Sequence, residues 1–336
     1  MRETDSPVDV SIVIVNWNSR DFLEKCLASL FATAQEIAFE VIVVDSASFD
    51  GSAQLIAASF PTVRFVQSGE NLGFGRANNL GVQFARGRLL LLLNPDTEFI
   101  EPVLARLVAA YRRLESPGIV GCRLLNSDRS LQVSCVQPYP RLLNQLLDSR
   151  TLQRRLPHTR VWSSAQSFAV TEEAFRVEGI VGACMLVDTE VFRAVGGFSH
   201  EYFMYAEDID LCCKVQALGL HNYYVPAVRL IHHGGGSTQK AVSTFSSVMM
   251  REAVHRFLAK FNGRGYAIAY RVLITASAVA RIVALSVVVP AAALGGAPHP
   301  LPSIRKWMAI LRWGLGGERW VRKYDGLATV SPAART

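Results

Sequence analysis

The sequence lacks the patterns that identify several common classes of protein. Its six cysteines show neither a zinc-type nor a C-x-x-C spacing, which disfavours zinc modules and thioredoxin-like redox sites. We expect them to be buried thiols in a reducing compartment. The opening segment contains acidic side chains and no apolar run, so we predict no secretory signal and a cytoplasmic protein.

Fingerprints of other ligand sites are also missing. No G-x-G-x-x-G follows the first predicted strand, and no P-loop, G-x-S-x-G or H-x-x-x-H pattern occurs, so a dinucleotide site is disfavoured. The longest uncharged apolar stretch, Ile282–Ala297, is shorter than the roughly 20 residues that span a bilayer.

The composition is that of a globular protein with a modest positive charge. Half of the 336 residues are hydrophobic, enough for a sizeable core. The formal net charge of +7 fits an anionic substrate or a membrane surface better than a nucleic acid.

Strand-like and helix-like segments alternate from residue 8 onward. "VSIVIVN", "FEVIVVDS", "VRFVQS" and "RLLLLLN" are typical of buried strands, and amphipathic segments follow them. The alternation predicts a parallel sheet with helices on both faces. Four polar residues lie at the ends of three of these strands or directly after them: Asn16, Asp45, Asn94 and Asp96. Open α/β sheets bind their ligands at this edge.

The segment "LLLLLNPDTEF" (Leu89–Phe99) joins the most apolar strand to two acids. Pro95 has no amide hydrogen and ends the strand, which leaves Asp96 and Glu98 at its carboxyl end. A solvated turn after a core strand is the alternative interpretation.

A further acidic cluster, in "AEDID", comprises Glu207, Asp208 and Asp210. Together with Asp45 and Asp96 it predicts a divalent cation bridging to a phosphate-bearing ligand, because hard cations prefer oxygen ligands. The simpler alternative is that these acids stabilise a helix N-terminus. The pair His232 and His233 would by itself be structural more often than ligating, but beside these carboxylates ligation is favoured.

Two regions do not follow this alternation of strand-like and helix-like segments. Residues 126–175 are polar and contain prolines, which indicates a loop or lid insertion. The tail places apolar segments beside basic residues and Trp307, Trp313 and Trp320, which indicates helices lying on an anionic membrane surface. A helical hairpin packed on the globular domain is the alternative. We therefore expect a catalytic domain at 8–262 and a helical membrane-interface region at 263–336.

Several segments, taken in order, resemble the family 2 glycosyltransferases and, more narrowly, their rhamnosyltransferase-like branch. They are "VSIVIVNWNS", "VIVVDSASFDGS", "ENLGFGRANNLGV", "LLLLNPDTEF", "GACMLVDTEVFRAVGGF", "FMYAEDIDLCCKVQALG" and "IHHGGGS", within roughly residues 8–240. The resemblance implies a GT-A fold, which is α/β with a mostly parallel central sheet. It also implies a nucleotide-sugar donor, Mg²⁺ or Mn²⁺, and inversion at the anomeric carbon.

The resemblance also implies roles for single residues. Asp45 would hydrogen-bond the pyrimidine of the donor, and Asp96 would bind the metal where many relatives have Asp-X-Asp. Asp208 would be the general base, with Glu207 the next candidate. His232 or His233 would contact the metal or a phosphate. Further nucleotide-sugar contacts are expected at Asn16, Asn71, Gly73, Asn78 and Asn94.

Two positions depart from the family pattern. Ser46 stands where many relatives have asparagine, which would alter nucleotide contacts. Asn78 stands where others have arginine, so that arginine's phosphate role would be vacant or would pass to Arg76.

The resemblance thus implies an inverting hexosyltransferase moving L-rhamnose from dTDP-rhamnose to a polyprenol-linked or cell-envelope glycan. We expect it at the inner face of the membrane, with no nucleic-acid partner. Another UDP- or dTDP-sugar, such as galactofuranose, glucose or N-acetylglucosamine, is an alternative donor. A non-catalytic scaffold that binds nucleotide sugar is a further alternative, which Asp96, Asp208 and His232 oppose.

Overall fold

The computed structural model describes residues 8–34, 36–147, 171–234, 244–295 and 301–324. By their internal contacts these residues form two units. The first contains the described residues of 8–139, 171–199 and 207–234, and the second contains those of 140–147, 200–206 and 244–324. The helix at 244–261 therefore groups with the C-terminal helices and not with the expected catalytic domain.

The first unit is built on a nine-stranded sheet. The strands in chain order are β1 (Val10–Asn16), β2 (Phe39–Ser46), β3 (Arg64–Ser68), β4 (Leu89–Leu93), β5 (Thr97–Phe99), β6 (Pro117–Leu125), β7 (Val136–Gln137), β8 (Phe175–Val177), β9 (Gly179–Ile180), β10 (Cys184–Asp188) and β11 (His221–His232). β7 and β9 form a separate two-stranded pair, and the other nine strands form the large sheet. The order in the large sheet is β3-β2-β1-β4-β10-β6-β11-β5, with β8 beside β11.

The sheet is mixed but mostly parallel, as the resemblance implied. β1, β2, β3 and β4 are parallel to one another, and β6 and β11 are a parallel pair. β10 enters the middle of the sheet antiparallel to both β4 and β6, while β5 and β8 run antiparallel to β11. The prediction of a mostly parallel sheet is therefore confirmed, with β5, β8 and β10 as its antiparallel strands.

Strand β4 explains the run of leucines. It lies between β1 and β10, and Leu90, Leu91, Leu92 and Leu93 are fully buried. A strand covered on both faces needs apolar side chains at every position, so it shows no alternation. This rigid strand fixes the position at which Asn94 and Asp96 leave the sheet.

Ten helices occur in the described part of the chain. They are α1 (Arg20–Thr33), α2 (Ser52–Ser59), α3 (Gly73–Val82), α4 (Val103–Arg113), α5 (Leu142–Leu146), α6 (Thr189–Ala194), α7 (Glu207–Ala217), α8 (Thr244–Phe261), α9 (Arg264–Gly295) and α10 (Leu301–Gly314). The helices predicted after the first three strands are confirmed as α1, α2 and α3. Each of them buries an apolar face.

The predicted insertion at 126–175 is only partly described, because residues 148–170 lie outside the described residues. Its first part contains β7, which pairs with β9, and the short helix α5. Its role as a lid stays a prediction.

The second unit contains α8, α9 and α10. Two of the tail tryptophans, Trp307 and Trp313, are buried, with exposures of 9 % and 1 %. Trp313 donates its indole N–H to Glu252 Oε2 at 2.8 Å, and Trp320, half-buried, stacks on Phe245. Aromatic rings and a half-buried carboxylate thus hold these indoles inside the second unit, while the predicted membrane surface and the helical-hairpin alternative both stay predictions.

One helix in the described residues, Arg264–Val287 within α9, has the length and apolar composition of a membrane-crossing helix. A core helix of a soluble protein can pass the same test, but such a helix is mostly buried, whereas only 17 % of the apolar window in α9 is buried.

Candidate active site

The carboxyl ends of β1 and β2 bring Asn16 beside Asp45, its direct partner in the parallel register. Asn16 is fully buried and Asp45 is 1 % exposed. The predicted meeting of polar residues at this edge is therefore realised by these two side chains.

Three N–H groups orient the Asp45 carboxylate. Asn16 Nδ2 donates to Oδ2 at 2.8 Å, while the Ser48 amide and Gln67 Nε2 each donate to Oδ1 at 2.8 Å. A carboxylate has about four lone-pair positions, so Asp45 can accept one more hydrogen bond. This leaves it suited to an N–H donor such as that of a pyrimidine ring.

Asn16 supports Asp45 from behind. Its Nδ2 also donates to Ser52 Oγ at 2.9 Å, which ties the end of β1 to the start of α2. Within the described residues its Oδ1 has no hydrogen-bond partner. The predicted contact of Asn16 with a donor stays a prediction.

Asp96 and His232 come together because β5 pairs with the end of β11. Thr97 is the register partner of His232, and Asp96 Oδ1 lies 3.2 Å from His232 Nε2. Asn94 Nδ2 lies 3.3 Å from the same ring nitrogen. Residues 136 positions apart in the sequence thus form one polar cluster.

Gln132 fixes the tautomer of His232. Its Nε2 donates to Asn126 Oδ1 at 3.4 Å and to the His232 carbonyl at 3.5 Å, so its Oε1 faces the ring. His232 Nδ1 lies 2.7 Å from that Oε1 and donates to it. The tautomer assigned from this network leaves Nε2 with a lone pair, which lies within reach of the Asn94 Nδ2 donor at 3.3 Å and 3.2 Å from Asp96 Oδ1.

Asp96 Oδ1 and His232 Nε2 are 3.2 Å apart, which is close enough for both atoms to ligate one cation. A neutral imidazole nitrogen oriented by an outer hydrogen bond, next to a carboxylate oxygen, is a donor set that suits a divalent transition metal such as Mn²⁺. No group of three or more His, Cys, Asp and Glu side chains placed to hold a metal occurs in the described part of the chain. The pair therefore fits a metal that takes its remaining ligands from outside the protein.

His233 occupies a different environment from its neighbour. Its Nε2 lies 3.0 Å from Glu98 Oε2, and its Nδ1 lies 2.9 Å from Ser127 Oγ. Both ring nitrogens therefore have partners away from Asp96. The structure thus separates the two predicted histidines, and His232 is the one beside Asp96.

Asp208 lies in the first turn of α7 and is 9 % exposed. Its Oδ2 accepts from the Gly182 amide at 3.0 Å and its Oδ1 from the Ile209 amide at 2.8 Å. Burial raises the pKa of Asp208 above its usual value of 3.8, although the backbone hydrogen bonds oppose the change. A raised pKa makes this carboxylate a stronger proton acceptor.

The turn between β9 and β10 connects Asp208 to the Asp96 cluster. The Gly182 amide donates to Asp208, and the carbonyl of the next residue, Ala183, accepts from the Asn94 amide at 3.0 Å. A Cβ at position 182 would lie 3.1 Å from the Phe74 ring and 3.6 Å from Asp208 Cβ. Glycine therefore permits the close approach of three segments at this point.

The remaining acids of "AEDID" divide by environment. Glu207 is 7 % exposed in the first turn of α7, next to Asp208. Asp210 is fully buried, accepts from Ser199 Oγ at 2.6 Å and lies 3.4 Å from Lys214 Nζ. Asp210 is thus held in a structural ion pair, and the predicted catalytic roles of Asp208 and Glu207 stay predictions.

The predicted contacts around α3 serve the backbone of that helix. Asn71 Oδ1 accepts from the Gly73 amide at 2.9 Å, and the buried Asn78 donates to the Phe74 carbonyl at 3.0 Å. Gly73 has a φ of +70°, which glycine adopts readily, at the helix start. Arg76 Nε donates to the Leu72 carbonyl at 3.0 Å. Their donor contacts stay predictions.

Sequence reasoning missed Gln67, Gln132 and Gly182. Gln67 and Gln132 reach Asp45 and His232 from positions 22 and 100 residues away, and no local motif marks either of them. Gly182 stands within the recognised segment "GACM", so a glycine at the entry to a strand was the one available signal.

The mixed α/β sheet with polar clusters at its strand ends can be compared with known proteins. The profile described as "Glycosyl transferase family 2" matches residues 11–178. The N-acetylglucosaminyl-diphospho-decaprenol L-rhamnosyltransferase of Mycobacterium tuberculosis is 30% identical over 240 residues, which cover 68% of this chain and 76% of that protein. Rhamnosyltransferase WbbL of Escherichia coli is 27% identical over 234 residues, covering 67% and 83%. The chain belongs to glycosyl transferase family 2.

Solved structures agree at the level of the fold. The mannosyltransferase PcManGT from Pyrobaculum calidifontis, in complex with GDP-Man and Mn²⁺, matches with a TM-score of 0.55 and 19% identity over 95% of this chain and 87% of that one. GalNAc-T7 with UDP, GalNAc and Mn²⁺ also matches with a TM-score of 0.55, at 15% identity over 76% and 48%. The GT-A fold is thereby confirmed, and the assignment as a glycosyltransferase rests on the family match and the curated relatives.

Proposed function

We propose that the protein is an inverting glycosyltransferase that moves L-rhamnose from a dTDP-sugar to a hydroxyl of a lipid-linked or cell-envelope glycan. The observation that supports this most is the turn at Gly182 and Ala183, which joins a base candidate, Asp208, to a metal-ligand candidate, Asp96. An inverting displacement needs a base for the acceptor hydroxyl and stabilisation of the departing diphosphate.

Asp208 is the proposed base. Its burial raises the pKa of the carboxyl group and so strengthens it as an acceptor for the hydroxyl proton. The Gly182 amide holds Oδ2, so the orientation of the carboxylate is fixed before substrate binds. The sugar is then attacked by the acceptor oxygen, and the bond from the anomeric carbon to the diphosphate breaks.

Asp96 and His232 are the proposed ligands of Mg²⁺ or Mn²⁺. When bound, such an ion neutralises charge on a nucleoside diphosphate. The residues themselves present one carboxylate oxygen and one imidazole nitrogen, which Gln132 orients. Asp45, held by Asn16 and Gln67, would accept a hydrogen bond from the nucleobase.

The lipid-linked acceptor and a location on the inner membrane surface are proposed together. The Mycobacterium tuberculosis relative is named for a decaprenol-linked acceptor. The exposed helix α9 and the basic tail of this chain are consistent with work at a lipid surface. We therefore expect a polyprenol-linked substrate.

A donor screen tests this proposal. Purified protein would be titrated with dTDP-rhamnose, UDP-glucose, UDP-N-acetylglucosamine, UDP-galactofuranose and GDP-mannose, with Mn²⁺ or with chelator, and binding followed by thermal shift and calorimetry. We expect dTDP-rhamnose to bind most tightly and its binding to weaken on chelation. Preference for a GDP-sugar, or binding unchanged by chelator, would contradict the donor or the metal assignment.

A further inference from the structure

Helix α9 shows a continuous exposed stripe of branched apolar side chains. We define the apolar stripe as Ile268, Val272, Val279, Val283 and Val287, whose exposures are 60%, 64%, 45%, 59% and 73%. At about 100° per residue these positions lie within a sector of about 100°, and at 1.5 Å per residue they extend over about 28 Å. This is a single flat apolar face on the surface of the second unit.

The uncharged polar side chains on or beside that face are small and bonded within the helix, as Thr275 Oγ1 is to the Arg271 carbonyl at 2.6 Å. Every other exposed residue between 268 and 287 is alanine except Ser286, whose Oγ donates to the Ile282 carbonyl at 2.9 Å. Its hydroxyl is thus satisfied within the helix, as hydroxyls facing hydrocarbon must be. The stripe can therefore leave water without stranding a polar group.

The two arginines in the middle of α9 point toward α10. Arg271 donates to the carbonyls of Trp313 at 2.6 Å and Gly314 at 3.1 Å, and the Arg281 guanidinium lies 4.4 Å from the centre of the Trp307 ring. Arg281 lies on the opposite side of the helix from the apolar stripe, and Arg271 lies beside the stripe with its guanidinium turned toward α10.

The charge of the chain is concentrated in the same segment. Residues 264–324 contain nine basic residues and one acidic residue, a net charge of +8, whereas the whole chain has +7. The rest of the chain is thus close to neutral. An apolar face together with this positive charge is complementary to a bilayer with anionic headgroups.

We infer that the apolar stripe is a membrane-docking face and that α9 lies in the plane of the bilayer surface, not across it. This inference deepens the proposed membrane location of the transferase and rests on it. It assigns lipid contact to α9 and not to the tail tryptophans, which are engaged inside the unit.

The packing of α10 against α9 favours an α9 that lies on the bilayer surface over an α9 that crosses the bilayer. The contacts of Arg271 with Gly314 and of Arg281 with Trp307 place α10 antiparallel along the middle of α9. Gly314 allows this approach, since a Cβ there would overlap Thr275 Oγ1. A crossing α9 would carry Arg305, Lys306 and Arg312 of α10 into hydrocarbon, which is strongly unfavourable. Lying in the plane leaves those cations at the level of the headgroups.

Vesicle partitioning of the full chain tests the docking face. The probes are vesicles of phosphatidylcholine alone and of phosphatidylcholine mixed with phosphatidylglycerol. The variant is Val279→Ser with Val283→Ser, and the control is Leu218→Ser, because Leu218 is 53% exposed but lies in the first unit. We expect the double variant to partition at least about tenfold more weakly into both kinds of vesicle, and the control to match the unmodified protein.

Unchanged partitioning of the double variant, or no partitioning of the unmodified protein, would overturn the inference. A dimer that the double variant dissociates, without vesicle binding, would assign the stripe to a second copy and would equally overturn it. Vesicle binding needs no sugar transfer, so failure here leaves the proposed reaction standing, and an inactive enzyme that still binds vesicles leaves the docking face standing.

Depth measurements test the orientation. A fluorophore would be attached in turn to cysteines introduced by Val272→Cys, Val279→Cys and Val287→Cys, with the unmodified protein as the labelling background, and its depth read by lipid-borne quenchers. We expect similar shallow depths at all three. Positions 272 and 287 are about 22 Å apart along the helix, so a crossing helix would give clearly different depths and would contradict the inference.

Discussion

At the scale of single residues, Asp208 shows how catalysis and stability can oppose each other. We expect Asp208→Asn to reduce turnover by about 10²–10⁴-fold, the usual share of a positioned base, while donor binding stays close to normal. Steady-state kinetics and nucleotide calorimetry on the same preparation measure both quantities. Near-normal turnover would show that another group, with Glu207 the first candidate, accepts the proton.

The same change should stabilise the folded protein at neutral pH. Burial raises the pKa of folded Asp208, so the folded state binds this proton more tightly than the unfolded chain does. The free energy of unfolding contributed by this group is therefore greatest below the usual pKa of 3.8 and is lost as pH rises through the raised value. Asp208→Asn removes that loss, so its Tm should exceed that of the unmodified protein at pH 7, and the difference should shrink on acidification. A lower Tm at pH 7 would contradict the burial argument.

Gln132 is a positioning residue for His232. Gln132→Leu removes the acceptor at Nδ1, so the ring loses its preferred tautomer, and we expect Mn²⁺ affinity to fall about 10–100-fold. Isothermal titration with Mn²⁺ and a nucleoside diphosphate measures this without turnover. Ser127→Ala is the matched control, because Ser127 contacts His233 and not His232. Equal affinities of the two variants would exclude the positioning role.

The sequence predicted site residues that lie within motifs, but it did not predict residues that contact those motifs from distant segments. Asp45, Asp96 and Asp208 lie near strand ends or helix starts, positions that local pattern predicts. Gln67 and Gln132 act across the sheet, and a single glutamine in a strand or loop has no local signature. Likewise, the sequence does not show which of His232 and His233 lies beside Asp96, because this depends on the pairing of β5 with β11.

At the scale of elements, glycines decide how closely helices pack. A Cβ at Gly81 in α3 would lie 2.5 Å from Val13 Cγ1 and 3.0 Å from Val44 Cγ2, whereas a Cβ at Gly265 in α9 would meet nothing within 4 Å. We expect Gly81→Ala to destabilise by about 1–3 kcal/mol through overpacking. Gly265→Ala, the control, should be neutral or stabilise by about 0.4–1 kcal/mol. Urea unfolding followed by circular dichroism measures both, and a Gly81→Ala variant as stable as the control would refute the close packing.

The tail shows the limit of composition at this scale. Tryptophan beside arginine predicted a lipid interface, but the same two residue types stack on each other within a helical unit, as Arg271 does on Trp313 at 4.9 Å. Composition cannot tell which face of a helix its partner covers. Only the packing of α10 on α9 showed that the valines, and not the indoles, are exposed.

At the scale of the whole molecule, hydrophobic patterning predicted the fold class but not the full topology. Buried runs separated by amphipathic segments require a sheet with helices on it, and β1 to β4 follow that rule. The antiparallel insertion of β10 between β4 and β6 depends on pairings between distant segments, which periodicity does not encode. The GT-A resemblance implied a mostly parallel sheet, but the position of β10 was not among the predictions.

The most direct test of the whole account is the stereochemistry of transfer. Purified protein would be given dTDP-rhamnose, Mn²⁺ and a short polyprenol-linked N-acetylglucosamine acceptor, and the product analysed by NMR of its anomeric proton, in parallel with Asp208→Asn. We predict one rhamnosyl product whose anomeric configuration is opposite to that of the donor, formed at least about 100-fold more slowly by the variant. Retention of configuration, or equal rates with the variant, would contradict the account.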